Sequence, residues 1–120
     1  MKIEQLDHVA LLVANVEISS DFYRRVLQLP AMQRPDFDFP GAWFRIGSSQ
    51  ELHLIGGRVE SVRSGNRGAH WAMRVDDLDA WEEHLKTHDA EFLPRKHRPD
   101  GAQQIFVKDP DGYFVELCQP

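Results

Sequence analysis

The chain has 120 residues, 42% of them hydrophobic, enough for one compact domain with its own core. Its single cysteine, Cys118, excludes an internal disulfide, and 19 acidic against 14 basic residues give a formal charge of −5 with no basic stripe for nucleic acid. No stretch approaches the ~20 apolar residues of a membrane span, and the short apolar run Val9 to Val13, preceded by Glu4 and Asp7, does not read as a signal peptide. A soluble cytoplasmic protein without nucleic-acid or membrane partners is expected.

In chain order, Leu6 to Val13 is rich in branched and apolar residues and predicts a mostly buried strand. A helix is predicted from Ile18 to Leu27, with Phe22, Val26 and Leu29 near helical spacing, a cap among Asn15, Ser19 and Ser20, and Pro30 as its stop. Strands follow at Met32 to Arg34, Trp43 to Ile46 and Glu51 to Ile55, with Gly47-Ser48-Ser49-Gln50 as the last turn. Residues 57–67 read as a linker between a first module (about 1–56) and a second (about 68–120). The second module opens with a strand from Gly68 to Val75, then a helix capped by Asp76 or Asp77 and running to Thr87 on a stripe of Leu78, Trp81 and Leu85. Strands at Glu91 to Leu93, Gln103 to Lys108 and Tyr113 to Cys118 complete it, the last two joined by Asp109-Pro110-Asp111-Gly112.

The two modules repeat each other. His8-Val9-Ala10-Leu11-Leu12-Val13 aligns with His70-Trp71-Ala72-Met73-Arg74-Val75 at an offset of 70 − 8 = 62, and Leu52-His53-Leu54 aligns with Val115-Glu116-Leu117 at 116 − 53 = 63. His8 and His70 thus occupy equivalent points on the first strand of each module, and His53 and Glu116 equivalent points on the last. Alternation places apolar neighbours on the opposite faces of these strands and leaves the faces carrying the four residues mixed. Three imidazoles and a carboxylate suit one divalent Fe, Mn, Co, Ni or Zn ion, and a buried carboxylate calls for such a partner. Glu51 shares the strand face of His53 and is an alternative ligand or a base.

Other residues admit two readings. Trp43, Phe44 and Phe114 either line a substrate cleft or pack in the core. Arg45, Arg74, Arg95 and Lys96 are available for anionic contacts. His84 and His88, four apart on the second helix among Glu82, Glu83, Lys86 and Thr87, read as a solvated face. Cys118 reads as a small residue near a strand end.

Four segments resemble the glyoxalase, bleomycin-resistance and extradiol-dioxygenase superfamily: Leu6-Asp7-His8-Val9-Ala10, Asp21 to Leu27, Gly68 to Leu78, and the closing hairpin Asp109 to Leu117. The resemblance spans nearly the whole chain. It implies an α+β fold of two βαβββ modules whose curled mixed sheets form a metal-binding cleft, with ligands His8, His53, His70 and Glu116, and a homodimer. It also implies a small-molecule substrate with vicinal oxygens, handled by a glyoxalase-like lyase or isomerase through a metal-stabilised enediolate, with Glu116 or Glu51 as base and Trp43, Phe44, Arg45 and Phe114 around the substrate. Glyoxalase I usually has glutamate at the position of His53. The alternatives are an Fe(II) extradiol dioxygenase using His8, His70 and Glu116, whose closing motif has a tyrosine where Phe106 stands here, and a drug-binding or thiol-transferase resistance protein.

Overall fold

A computed structural model describes all residues from Met1 to Pro120 and divides them into two compact units, Met1–Glu60 and Ser61–Pro120. Each unit has the same chain order of strand, helix and three strands. The first comprises β1 (His8–Leu12), α1 (Val16–Asp21), β2 (Ala31–Met32), β3 (Gly41–Ile46) and β4 (Gln50–Ile55). The second comprises β5 (Trp71–Arg74), α2 (Leu78–Thr87), β6 (Lys96–His97), β7 (Gln103–Lys108) and β8 (Phe114–Gln119). The sheets are ordered β1-β4-β3-β2 and β5-β8-β7-β6. The first and last strands of each unit pair in parallel and the others antiparallel. A parallel pair needs a long crossover, and the helix with two antiparallel strands supplies it. This is the α+β, two-module βαβββ architecture anticipated above. No helix is long and apolar enough to cross a membrane.

The helices begin at equivalent residues. Asn15 accepts from Ile18 N at 3.0 Å, and Asp77 accepts from Ala80 N at 3.0 Å, so the caps keep the repeat offset of 77 − 15 = 62. α1 starts earlier than its apolar spacing suggested and passes into a π-helical turn, Phe22–Val26, where Leu27 N bonds Phe22 O at 3.2 Å. It ends at Gln28, which takes the left-handed conformation (φ 56), before Pro30 can act; Asp89 (φ 50) ends α2 in the same way.

Alternation along the strands decides what is buried. In the first unit Leu11, Phe44, Leu52 and Leu54 sit on the core side with Tyr23 and Leu27. In the second, Ile105, Val107, Val115 and Leu117 join Leu78 and Leu85. The β7–β8 turn is built around Asp109, whose Oδ1 accepts from Asp111 N (2.9 Å) and Tyr113 N (2.8 Å), while Gly112 takes a φ of 97 that other residues resist.

Several strand boundaries differ from expectation. β1 and β5 are shorter than the predicted 6–13 and 68–75. β2 stops at Met32 rather than reaching Arg34, whose guanidinium turns aside to the Phe39 carbonyl at 2.8 Å. The strand expected at Glu91 to Leu93 is a single bridge, Phe92 with Val107. Pro94 follows it, has no N–H for a ladder, and the edge strand resumes only at Lys96.

Candidate metal centre

In the first unit the donor pair is His8 and His53. Parallel pairing sets His8 beside Glu51 and Ala10 beside His53, and antiparallel pairing sets Trp43 opposite His53. The rings of His8 and His53 stack at 4.2 Å and 17°, and Trp43 covers the other side of His53 at 3.9 Å and 3°. His8 Nδ1 lies 2.7 Å from Asp7 Oδ2; because a carboxylate only accepts, the Nδ1–H is the donor and Nε2 is left to bind. His53 Nε2 donates to Glu51 Oε1 at 2.9 Å, which leaves Nδ1 as its lone-pair nitrogen in the neutral ring. Arg45 Nη1 is 3.5 Å from Glu51 Oε2, so this carboxylate is held from two sides.

In the second unit the pair is His70 and Glu116. His70 Nδ1 donates to the Gly68 carbonyl at 3.0 Å. Its Nε2 then faces Glu116 Oε2 at 3.1 Å. A neutral ring in that tautomer sets a lone pair against a carboxylate oxygen, so the contact is favourable only with a cation, proton or metal, between them. Glu116 is 5% exposed, and its Oε1 accepts from Gln104 Nε2 at 2.6 Å. Burying this charge is tolerable only because both oxygens are engaged. Phe106, opposite Glu116 in register, packs edge-on to His70 at 5.1 Å.

Asp7 and Gln104 are the site residues that sequence reasoning passed over; Phe106 entered it only as the residue at the dioxygenase tyrosine's place. Gln104 and Phe106 were accessible by alternation, since both lie on the Glu116 face of the β7–β8 pair. Phe44 needs correction: it is 2% exposed and paired with Leu52 on the core side, so it is a packing residue and not a substrate contact. Trp43 lies on the His53 face. Phe114, at the start of β8, is half-buried and donates its N–H to Ser64 Oγ at 2.9 Å. Arg95 is also committed elsewhere: Asp79, Glu82, Gln103 and the Leu78 carbonyl all take its guanidinium, and the hydrogen bond to Asp79 chiefly raises its pKa. His84 on α2 and His88, the residue just after it, have ring centroids 4.2 Å apart, with Trp81 edge-on to His84.

No group of three or more His, Cys, Asp or Glu stands in a metal-holding arrangement; the structure presents the candidate donors as the two pairs described. The chemistry of each pair fits a borderline divalent ion: imidazole nitrogens with fixed tautomers, second hydrogen bonds to Asp7, Glu51 or a backbone carbonyl, and one buried carboxylate. Beside His70, Gln104 and Phe106 a pocket of about 270 Å³ is lined by Arg67, Lys96 and Arg98.

Comparison with known proteins sets this geometry in context. The signature of the Glyoxalase/Bleomycin resistance protein/Dioxygenase superfamily matches residues 5–117. A lactoylglutathione lyase of Neisseria meningitidis serogroup A is 32% identical over 96% of this chain and 90% of its own. A glyoxalase family protein from Bacillus anthracis superposes with a TM-score of 0.84 at 26% identity, covering 99% of this chain and 97% of that one. A lactoylglutathione lyase from Agrobacterium tumefaciens does so at 0.78 with 20% identity, over 99% and 96%, a likeness of fold.

Proposed function

Because the chain belongs to the Glyoxalase/Bleomycin resistance protein/Dioxygenase superfamily, we propose that it is a metal-dependent lyase or isomerase acting on a small molecule with oxygens on neighbouring carbons. His8, His53, His70 and Glu116 are the proposed donors. A bound divalent ion would supply Lewis-acid polarisation of the substrate oxygens. The observation that carries this reading is the His70 Nε2–Glu116 Oε2 contact at 3.1 Å, which, with Nδ1–H given to the Gly68 carbonyl, calls for a proton or a metal ion between the two atoms. The lactoylglutathione lyase relative supports the reaction class.

The chain's own residues divide the remaining work. Glu116 keeps Oε1 on Gln104 Nε2 and aims Oε2 at His70 Nε2, and we assign it the ligand role. Glu51 lies beside the first donor pair without being one of the proposed donors, 2.9 Å from His53 Nε2 and 3.5 Å from Arg45 Nη1, so we assign it the proton acceptor. Trp43 presents a flat apolar surface beside His53 that orients substrate. A homodimer is part of the same proposal. Phe106 carries no hydroxyl next to His70, which favours proton transfer over ring-cleaving oxygenation.

The test compares methylglyoxal–glutathione turnover with oxygen uptake on catechols, in the parent and in Glu51→Gln. Turnover of the hemithioacetal that is lost in Glu51→Gln, with metal content unchanged, supports the assignment. Oxygen consumption with a catechol overturns it.

A further inference from the structure

The C-terminal end of α2 carries a histidine pair that the proposed function does not use. His84 lies in the last turn and His88 is the capping residue, four positions on, so the two share one flank of the helix. Their ring centroids stand 4.2 Å apart with the planes at 42°. Both residues are half-buried rather than fully solvated. Leu78 and Leu85 turn the neighbouring face of α2 to the core, where Val115 and Leu117 of β8 also point. Glu116 lies between those two strand residues and alternates to the opposite face. The histidine pair is therefore across the sheet from the His70–Glu116 contact.

Local contacts set the two rings. The His84 carbonyl takes both the His88 backbone N–H, at 3.1 Å, and His88 Nδ1, at 3.0 Å. A carbonyl only accepts, so Nδ1–H is the donor and Nε2 of the neutral ring carries the lone pair. Metal-ligating histidines use this arrangement, the second nitrogen donating to a carbonyl or carboxylate. Trp81, one turn before His84, stands edge-on to its ring at 5.5 Å and 85°. An imidazole has two nitrogens, so a hydrogen bond at one on His84 still leaves the other for an ion. The helix end favours a cation as well, because the last carbonyls of α2 place the negative end of its dipole at His88. Lys86, the nearest cation along the helix, is drawn to Glu83 at 3.2 Å.

We infer that His84 and His88 form a second metal site, a two-imidazole chelate that takes a borderline divalent ion, Cu²⁺ before Ni²⁺ or Zn²⁺. Two imidazoles with water in the remaining positions make the nitrogen and oxygen set of a tetragonal Cu²⁺ ion. Both ligands stand at the end of one helix, so they bind as a linked pair, and losing either forfeits the effective concentration of the other. With two protein ligands instead of four, the pair holds its ion less tightly than the proposed centre and fills only when the ion is added. The inference is independent of the proposed function, since neither histidine belongs to that donor set.

The test is a Cu²⁺ titration by calorimetry on the full chain carrying His8→Ala and His70→Ala, which removes two of the four proposed donors. Each protein is checked for native circular dichroism, and the same comparison is made in the parent chain, so that a poorly folded background does not decide the result. The quantity read is the Cu²⁺ bound with the pair intact minus that bound once it is broken. One equivalent per chain should depend on the pair, and its electron paramagnetic resonance should show coupling to two imidazole nitrogens. His84→Ala and His88→Gln should each weaken that equivalent on the order of a hundredfold. His97→Ala removes the one other histidine outside the proposed donors and should leave it unchanged. The same Cu²⁺ binding with and without His84 and His88, no Cu²⁺ binding at all, or a loss in His97→Ala equal to that in His84→Ala would each overturn the inference.

Discussion

Glu116 Oε2 and His70 Nε2 stand 3.1 Å apart, and the hydrogen bond from His70 Nδ1 to Gly68 leaves no proton on Nε2 of a neutral ring to fill the gap. They are 46 positions apart in the chain, which folds so that β5 and β8 run side by side. What keeps the carboxylate aimed at the imidazole is Gln104, 2.6 Å from the other oxygen.

That hydrogen bond gives the first prediction. Gln104→Leu removes the donor while leaving the ligands intact, and outer partners of this kind are worth roughly 10- to 100-fold in metal affinity. Competition against a chromophoric chelator should show a loss in that range. Asp7→Asn should lower affinity in the same direction through His8, and an unchanged affinity in both variants would show that these contacts do not orient the donors.

The β7–β8 turn gives a prediction about stability. Asp109 is 5% exposed and its Oδ1 satisfies two backbone N–H groups. Asp109→Ala leaves both donors without that acceptor, at a cost of about 1–3 kcal/mol. Urea unfolding should show a lower midpoint at constant slope. Asp109→Asn, which keeps the accepting oxygen, should recover most of the difference.

A third prediction concerns acid. The Ala102 N–H, then Arg98, holds Asp100 below its ordinary carboxylate pKa. A carboxyl lowered in the folded state stabilises above its unfolded pKa, and that contribution disappears as pH falls through the folded value. Asp100→Asn should therefore be the less stable protein near neutrality, the difference closing as pH falls, which flattens the acid side of the stability–pH curve. A parent and variant whose midpoints run parallel from pH 6 to pH 2 would contradict it.

Much of the architecture was legible because the repeat is. An offset of 62 carries Asn15 onto Asp77, and both residues cap helices. Two-residue alternation also sorted the apolar faces of β4 and β8. The same rule, applied to Trp43 and Phe44, would have shown that neighbours on a strand cannot both line one cleft; Phe44 is in the core. The π-helical turn at Phe22–Val26 was not legible, because Phe-Tyr-Arg-Arg-Val serves an i→i+5 bond as well as an ordinary one. Nor were the ring contacts of Phe37 and Phe39, which lie in a loop without periodicity, Phe37 beside Trp43 and both beneath the Arg34 guanidinium.

The most direct test of the central claim is elemental analysis of the purified chain beside His8→Ala and His70→Ala, one donor removed from each unit. One divalent ion per chain in the parent, and loss of that ion in both variants with native circular dichroism, is the predicted result. A metal-free parent, or a variant that keeps a full equivalent, would contradict the proposed ligand set.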